Sequence, residues 1–177
     1  MTVTHLFIKR AHGERLDVVS RFAFTPNGIS GGVRCPPLRQ VLITSRAVTR
    51  ELGLAVGDLR ENIAVDLDGL YDLPSGSVLR IGDALIRLTF PCEPDRRTRP
   101  PIASDAALDK RGFLGCFLNR GFIAVGDAVA LTDQWHEPIP YATKDHIRRF
   151  LDRPDARSEA REAADALDLA SARARAG

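Results

Sequence analysis

Cysteine and long apolar runs are scarce in this chain. Its 177 residues include three cysteines, Cys35, Cys92 and Cys116, which lie far apart and form no Cys-x-x-Cys pair, so zinc-knuckle and thioredoxin-type motifs are excluded. No apolar run approaches the roughly 18 residues of a membrane span, and the N-terminus lacks the basic-then-apolar layout of a secretory signal. We therefore expect a soluble, cytoplasmic protein with free thiols.

A large net charge is also absent. The chain has 25 basic and 23 acidic residues, a formal net charge of +2, and contains no basic stripe interleaved with aromatic residues. The basic residues are 22 arginines and three lysines. Arginine favours bidentate recognition of anions, although genomic base composition produces the same excess. We expect neither nucleic acid nor a membrane as a partner.

The hydrophobic pattern predicts a mainly β protein. Turn signals separate several short strands, and Ser45 is predicted to cap one mid-chain helix that ends near Leu52. The predicted strands cover residues 3–8, 18–24, 40–43, 62–67, 78–81, 84–90, 113–118 and 122–131. Strand–helix alternation and a glycine-rich phosphate loop are missing, which disfavours a Rossmann-type fold. We predict a closed or partly open antiparallel β-barrel over residues 1–142 and a helical tail over residues 143–177.

Two finer predictions concern individual strands. In strand 84–90, Ile86, Leu88 and Phe90 alternate with the remaining side chains, which predicts one buried face. Strands 113–118 and 122–131 are predicted to form a hairpin through a turn at residues 119–121.

Cys92 has the most informative surroundings of the three cysteines. It follows a predicted strand and stands between Pro91 and Pro94, which restrict the backbone and hold the thiol in one direction. Nearby cations favour a thiolate, which metal ligation, persulfide formation and nucleophilic attack all require. These cations are Arg87, Arg96, Arg97 and Arg99. The alternative is a half-buried structural cysteine.

Two further segments have residue types suited to anions. Arg60, Glu61 and Asn62 place a forked cation, a carboxylate and an amide in series, which binds a phosphate or stabilises a surface turn. Residues 28–34 contain three glycines whose backbone amides are able to form an anion nest, with Arg34 and Arg39 nearby. An ordinary flexible loop is the alternative for the second segment.

The order of several short motifs suggests a family. The most specific element is Arg60-Glu61-Asn62 at a strand start, followed about thirty residues later by Pro91-Cys92. The accompanying motifs are Gly28-Ile29-x-Gly31, Arg39-Gln40-Val41-Leu42-Ile43, Leu73-Pro74-x-Gly76, Leu79-Arg80-Ile81-Gly82, Arg111-Gly112 and Gly126-Asp127-x-Val129. From about Lys9 to about Leu131, the chain resembles the MOSC domain, named for the C-terminal part of molybdenum cofactor sulfurase.

The resemblance implies a barrel-like fold of the pyruvate-kinase-barrel type and a link to sulfur or molybdenum cofactor chemistry. It implies that Cys92 is the catalytic residue, as a persulfide carrier, or the metal ligand, as the molybdenum-bound thiolate of amidoxime-reducing relatives. The residues expected to bind the molybdenum cofactor (molybdopterin) or a small anionic sulfur-containing substrate are Arg39, Arg60, Glu61, Asn62 and Arg111. Candidate partners are a cysteine desulfurase, a molybdoenzyme or a second copy of this chain.

Departures from the family pattern keep other functions open. Many members have an Asp after the second glycine of the first turn, where this chain has Gly32. We expect neither the N-terminal domain of the amidoxime-reducing relatives nor the aminotransferase-like domain of full sulfurases, and we assign no pyridoxal phosphate lysine. One alternative is a small-metabolite enzyme for C–S or N–O bond chemistry without molybdenum. The other is a non-catalytic binding module.

Overall fold

The computed structural model describes residues 1–92 and 110–139, and most of the regular structure there is β-strand. The strands are β1 (Val3–Ile8), β2 (Asp17–Val19), β3 (Arg21–Thr25), β4 (Gly28–Ile29), β5 (Val41–Ser45), β6 (Ile63–Val65), β7 (Ser77–Ile81), β8 (Ala84–Pro91), β9 (Phe113–Phe117), β10 (Gly121–Ala124) and β11 (Val129–Trp135). Helix α1 (Arg46–Glu51) follows β5 directly, and short 3-10 helices cover Pro37–Arg39 and Leu70–Asp72. Within the two described ranges, no helix is long and apolar enough to cross a membrane.

Eight strands form one curled sheet in the order β11-β7-β8-β9-β5-β6-β1-β2. Strands β5 and β6 run parallel and the other neighbours run antiparallel. Just before β1 and at the start of β11, Thr2 and Ala128 form an isolated β-bridge, and Val129 N donates a hydrogen bond of 3.0 Å to Met1 O. The result is a partly open barrel, accompanied by a three-stranded sheet in the order β10-β3-β4.

Apolar residues are buried on both faces of the central strands. In β5, Val41 and Ile43 belong to the main core inside the curled sheet, whereas Leu42 points to the other face. A second, smaller cluster forms there. We call it the Cys92 cluster; its buried members are Leu42, Phe90, Cys92 and Leu114, and Leu38 and Ile139 pack against it. This second cluster places the predicted functional cysteine on the outer face of the barrel wall.

The predicted mainly β, partly open barrel and its mid-chain helix are confirmed. Ser45 occupies the N-cap position of α1, but its side chain makes no capping hydrogen bond. The predicted strand 18–24 is divided into β2 and β3, and 122–131 is divided into β10 and β11 around Gly126 and Asp127. The predicted tail over 143–177 lies outside the described residues.

Two details of the prediction are wrong. The sheet is mixed, because α1 and the loop after it return the chain so that β6 starts at the same end as β5. Strands β9 and β10 form no hairpin, because Asn119 binds Leu85 N and Asp83 O and directs the chain into the small sheet. The buried face predicted for β8 is confirmed by Ile86, Leu88 and Phe90, and its opposite face, with Arg87 and Thr89, is buried as well.

Candidate functional site

Cys92 lies directly after β8 and is held against the start of β9. Its backbone amide donates a hydrogen bond of 2.7 Å to the Gly112 carbonyl, and the preceding Pro91 is paired with Phe113. The residue is 5% exposed and lies among the apolar side chains of the Cys92 cluster. The thiol is therefore enclosed beneath apolar neighbours instead of facing open solvent.

A group of buried oxygen atoms lies at the end of β5 and just before β6. Glu61 is fully buried, and its Oε1 accepts a hydrogen bond of 2.7 Å from Gly57 N. In the described part of the chain, Glu61 Oε2, Thr44 Oγ1 and Ser45 Oγ are buried without a well-formed hydrogen bond, although the Thr44 hydroxyl interacts with the Glu61 carboxyl and stabilises its charged form. We call these three residues the Glu61 group. Unpaired buried oxygen atoms of this kind mark a place where water or a polar ligand atom binds.

The environment of Glu61 favours its protonated form. Burial raises the pKa of the carboxyl, the hydrogen bond from Gly57 partly opposes this, and the negative charge of Asp58 adds to the increase. Glu61 therefore holds a proton over a wider pH range than a surface carboxyl does.

Tyr71 connects the Glu61 group electrostatically with Cys92. Its hydroxyl oxygen accepts a hydrogen bond of 3.3 Å from Ser45 N. Burial raises the pKa of Tyr71, and the negative charges of ionised Glu61 and Cys92 raise it further. The phenol therefore stays protonated at neutral pH and keeps a proton to donate.

Gly112 allows the strands that carry these side chains to approach closely. Its φ is +135°, and a Cβ at this position would lie 2.7 Å from Leu42 Cδ1 and 3.0 Å from Thr44 Cγ2. Because the Gly112 carbonyl accepts the Cys92 amide, the backbone of Cys92 lies one strand away from Thr44. The thiol and the Glu61 group therefore belong to one site.

Two of the predicted arginines lie near this site. Arg111 is 7% exposed and directly precedes Gly112 at the start of β9. Arg39 is exposed, and its guanidinium lies 5.9 Å from the centre of the Phe90 ring, a member of the Cys92 cluster. Both arginines are thus placed near the Cys92 cluster by the strands and the 3-10 helix that carry them.

Arg60 and Asn62 have structural contacts elsewhere. Arg60, at a left-handed φ of +61°, donates a hydrogen bond of 2.9 Å to the Glu14 carbonyl in the loop before β2. Asn62 Oδ1 accepts a hydrogen bond of 3.0 Å from Leu42 N, and Asn62 Nδ2 donates one of 3.4 Å to Phe7 O. Asn62 thereby joins β5 to β1, and this position explains an asparagine here without a ligand.

The segment 28–34 uses its backbone amides internally. Its first two residues form β4. The amides of Ser30, Gly32 and Val33 donate hydrogen bonds of 2.9, 3.1 and 2.7 Å to the carbonyls of Ala23, Ile29 and Lys9. These bonds favour the ordinary loop over the anion nest.

The other two cysteines lie in environments that disfavour a thiolate. All three cysteines are free, as predicted. Burial raises the pKa of Cys116 to about 11, although Arg87 lies opposite it in the β8–β9 register and opposes the increase. Burial also raises the pKa of Cys35. Arg87 therefore neighbours Cys116 in the sheet, while Arg96, Arg97 and Arg99 lie outside the described residues.

The described residues fit only part of a molybdenum cofactor. Residues 1–92 and 110–139 contain no group of three His, Cys, Asp or Glu side chains suited to a metal ion. The Cys92 thiol alone matches a single thiolate ligand. A pterin phosphate is a dianion, and of the predicted cofactor-binding arginines Arg39, Arg60 and Arg111 only Arg111 is buried. We therefore derive no step through this cofactor.

Comparisons with known proteins reveal similarity at the level of the fold. No protein-family model and no curated protein matches the chain. The crystal structure of the YUAD protein from Bacillus subtilis aligns with a TM-score of 0.60 and 17% identity, over 77% of this chain and 98% of that one. YiiM from Escherichia coli aligns with a TM-score of 0.58 and 17% identity over 92% of both chains. YuaD and YiiM are MOSC-domain proteins.

The chain has the MOSC fold. YiiM from Geobacillus stearothermophilus agrees, with a TM-score of 0.59 and 16% identity over 94% of this chain and 98% of that one. At these identities the comparison establishes the MOSC fold alone, and the sulfur and molybdenum roles implied by the sequence stay predictions.

Sequence reasoning missed several residues of the site. Thr44, Ser45 and Tyr71 belong to no motif, and nothing in their local spacing distinguishes them from other polar residues of a β protein. The one available signal was Tyr71 itself, because a tyrosine is usually hydrogen-bonded when it is buried. Their common location follows from the pairing of β5 with β6 and β9, which local patterns do not reveal.

Proposed function

We propose that this MOSC-fold protein is a member of the MOSC family and carries sulfane sulfur on Cys92. The observation that supports this most directly is the placement of Cys92 between an apolar cover and the Glu61–Tyr71 side of the site. A thiol enclosed in this way is separated from bulk solvent while the Tyr71 hydroxyl remains within its electrostatic range.

The proposed step is transfer of sulfane sulfur from a donor persulfide, R–S–SH. The Cys92 thiolate attacks the terminal sulfur, the S–S bond of the donor breaks, and R–S⁻ leaves with the electron pair. The product is the Cys92 persulfide, Cys–S–SH, so no external oxidant or reductant is required. The thiol proton passes to the leaving R–S⁻, and the protonated Tyr71 hydroxyl donates towards the anionic sulfur.

Enclosure suits a persulfide because the terminal sulfur is easily lost to other thiols and to oxidants. The apolar cover slows both reactions. Burial raises the pKa of Cys35 and Cys116, which disfavours the thiolate form of both. Cys92 is then the carrier, and the other two cysteines serve as internal controls.

The direct test is sulfur loading followed by intact mass. The protein is incubated with cysteine persulfide and desalted, and its intact mass is measured. We expect the mass of the wild type to increase by about 32 Da per bound sulfur atom. Cys92→Ser is expected to lose this gain and to unfold at the wild-type temperature, whereas Cys35→Ser and Cys116→Ser retain it. Sulfur uptake by Cys92→Ser equal to that of the wild type would remove Cys92 from the scheme.

Elemental analysis of the protein as isolated distinguishes this proposal from the alternative hypothesis that Cys92 ligates molybdenum. Molybdenum in stoichiometric amount, lost in Cys92→Ser, would favour a metal-ligating thiolate over a sulfur carrier. A molybdenum-free protein that loads sulfur on Cys92 supports the carrier. The same sample separates the carrier from a small-metabolite enzyme, since only the latter turns over a thio-compound without retaining sulfur.

A further inference from the structure

A short segment after β11 folds back over the outer face of the sheet. We call residues 136–139 the strap. It is tied to the sheet by three hydrogen bonds, from His136 N to Gly76 O at 2.9 Å, from Arg87 Nη2 to Glu137 O at 2.7 Å and from Ile139 N to Ser75 Oγ at 3.0 Å. The strap therefore has a defined position along its whole length.

The approach of the strap to the sheet is close. Gly76 has a φ of +95°, and a Cβ there would collide with the carbonyl oxygen of His136. The Ser75 hydroxyl that accepts the Ile139 amide also donates to the Thr89 carbonyl in β8. The position of Ile139 is thus set by β8, the strand that leads directly into Cys92.

Ile139 is half-buried and packs against the Cys92 cluster. Leu38 packs against the same cluster, and its carbonyl accepts a hydrogen bond of 2.8 Å from Thr89 Oγ1. Two apolar side chains from separate segments therefore contribute to the cover of the cluster in which Cys92 is 5% exposed.

We infer that the strap is a cover of the Cys92 thiol and that Ile139 limits which sulfur donors reach it, selecting small-molecule persulfides over the persulfide of a protein partner. This inference rests on the proposed sulfur-carrier function. An apolar cover tied by three hydrogen bonds admits a small molecule through a local opening, whereas a protein loop requires the strap to detach.

The test compares alkylation of Cys92 by a small and a bulky reagent. Iodoacetamide and a maleimide carrying a polyethylene glycol chain are used in a Cys35→Ser background, and the modified residue is identified from peptide masses. For Ile139→Ala we expect the rate with the bulky reagent to rise about tenfold and the rate with iodoacetamide to rise less than about threefold. Ser75→Ala removes the hydroxyl that accepts the Ile139 amide. We expect it to change the rates with both reagents in the same direction as Ile139→Ala does.

Leu131→Ala is the matched control, because Leu131 is an apolar residue on the same strand, β11, that leads into the strap and is 56% exposed. Its rates are expected to equal those of the wild type. Equal acceleration in Ile139→Ala and Leu131→Ala, or no change in the ratio of the two reagents in Ile139→Ala, would overturn the inference.

Sulfur loading distinguishes failure of the inference from failure of the proposed function. Loading is measured with cysteine persulfide and with a persulfidated protein as donors. We expect Ile139→Ala to accelerate loading from the protein donor selectively. If Ile139→Ala loads sulfur on Cys92 at the wild-type rate from both donors, the donor selection is overturned and the sulfur-carrier proposal still holds. If no variant loads sulfur, both the sulfur-carrier proposal and the donor selection are overturned.

Discussion

At the scale of single residues, the site combines a thiol, a carboxyl and a phenol whose protonation states depend on burial. Burial raises the pKa of both Glu61 and Tyr71. A phenol that remains protonated stabilises a nearby anion by donating a hydrogen bond, and such charge-assisted bonds are stronger than neutral ones. Under the proposed function, we therefore expect Tyr71 to act as a positioning residue for the Cys92 thiolate.

Tyr71→Phe tests this assignment. We expect the midpoint of the pH profile for Cys92 alkylation by iodoacetamide to move to higher pH, because the thiolate loses a donor, and the rate at neutral pH to fall roughly threefold to tenfold. The melting temperature is measured in parallel. Tyr141→Phe, at the only other tyrosine of the chain, is the control. An unchanged midpoint in Tyr71→Phe would show that the hydroxyl does not act on the thiol.

At the scale of elements, the site depends on how closely β9 approaches its neighbours. Gly112 has no room for a Cβ, since one would lie 2.8 Å from the Ile43 carbonyl oxygen and 2.7 Å from Leu42 Cδ1. The same residue accepts the amide of Cys92. A displacement of Gly112 therefore moves the backbone that positions the thiol.

Gly112→Ala is expected to destabilise the fold by about 2–4 kcal/mol, because positive φ strain and a steric clash are combined. Gly28→Ala is the matched control, as Gly28 has a φ of +117° but nothing within 4 Å of its Cβ position. Its cost is expected to be about 1–2 kcal/mol from strain alone. Denaturant unfolding measures both values; equal costs would show that β9 adapts to the extra methyl group.

At the scale of the whole molecule, the buried carboxyl of Glu61 makes stability depend on pH. The pKa of Glu61 is raised in the folded protein relative to the unfolded chain, so the folded state binds the proton more tightly. Wild-type stability then decreases as pH rises from about 4.5 through the folded-state pKa, since the unfolded chain gives up the proton first.

Glu61→Gln removes this titration and keeps an oxygen that accepts the Gly57 amide. We expect the melting temperature of the variant, relative to that of the wild type, to increase between pH 4 and pH 7. The increase is roughly 2–4 °C for each 1 kcal/mol of burial penalty that the substitution relieves. Glu51→Gln is the control, because Glu51 is an exposed carboxylate paired with Lys110, and its effect is expected to be small. A difference that is the same at both pH values would contradict the assigned burial penalty.

Local pattern predicted the strands well because alternation of apolar residues reports which face of a strand is buried. The predicted strand 3–8 coincides with β1, and the helix after Ser45 is present. In β8 the same pattern identified the buried face correctly but did not show that Arg87 is buried on the second face. A polar residue in an alternating strand is predicted to face solvent. The burial of Arg87 depends instead on the strap, whose Glu137 carbonyl accepts a hydrogen bond from its guanidinium.

The chain by itself therefore determined the β-rich class, the positions of most strands and the candidate thiol, all of which depend on neighbours in sequence. Tertiary structure decided the parallel pairing of β5 with β6, the enclosure of Cys92 and its association with Tyr71 and Glu61. These contacts join residues distant along the chain. Their free energies depend on strand register and close approach, which no short stretch of sequence encodes.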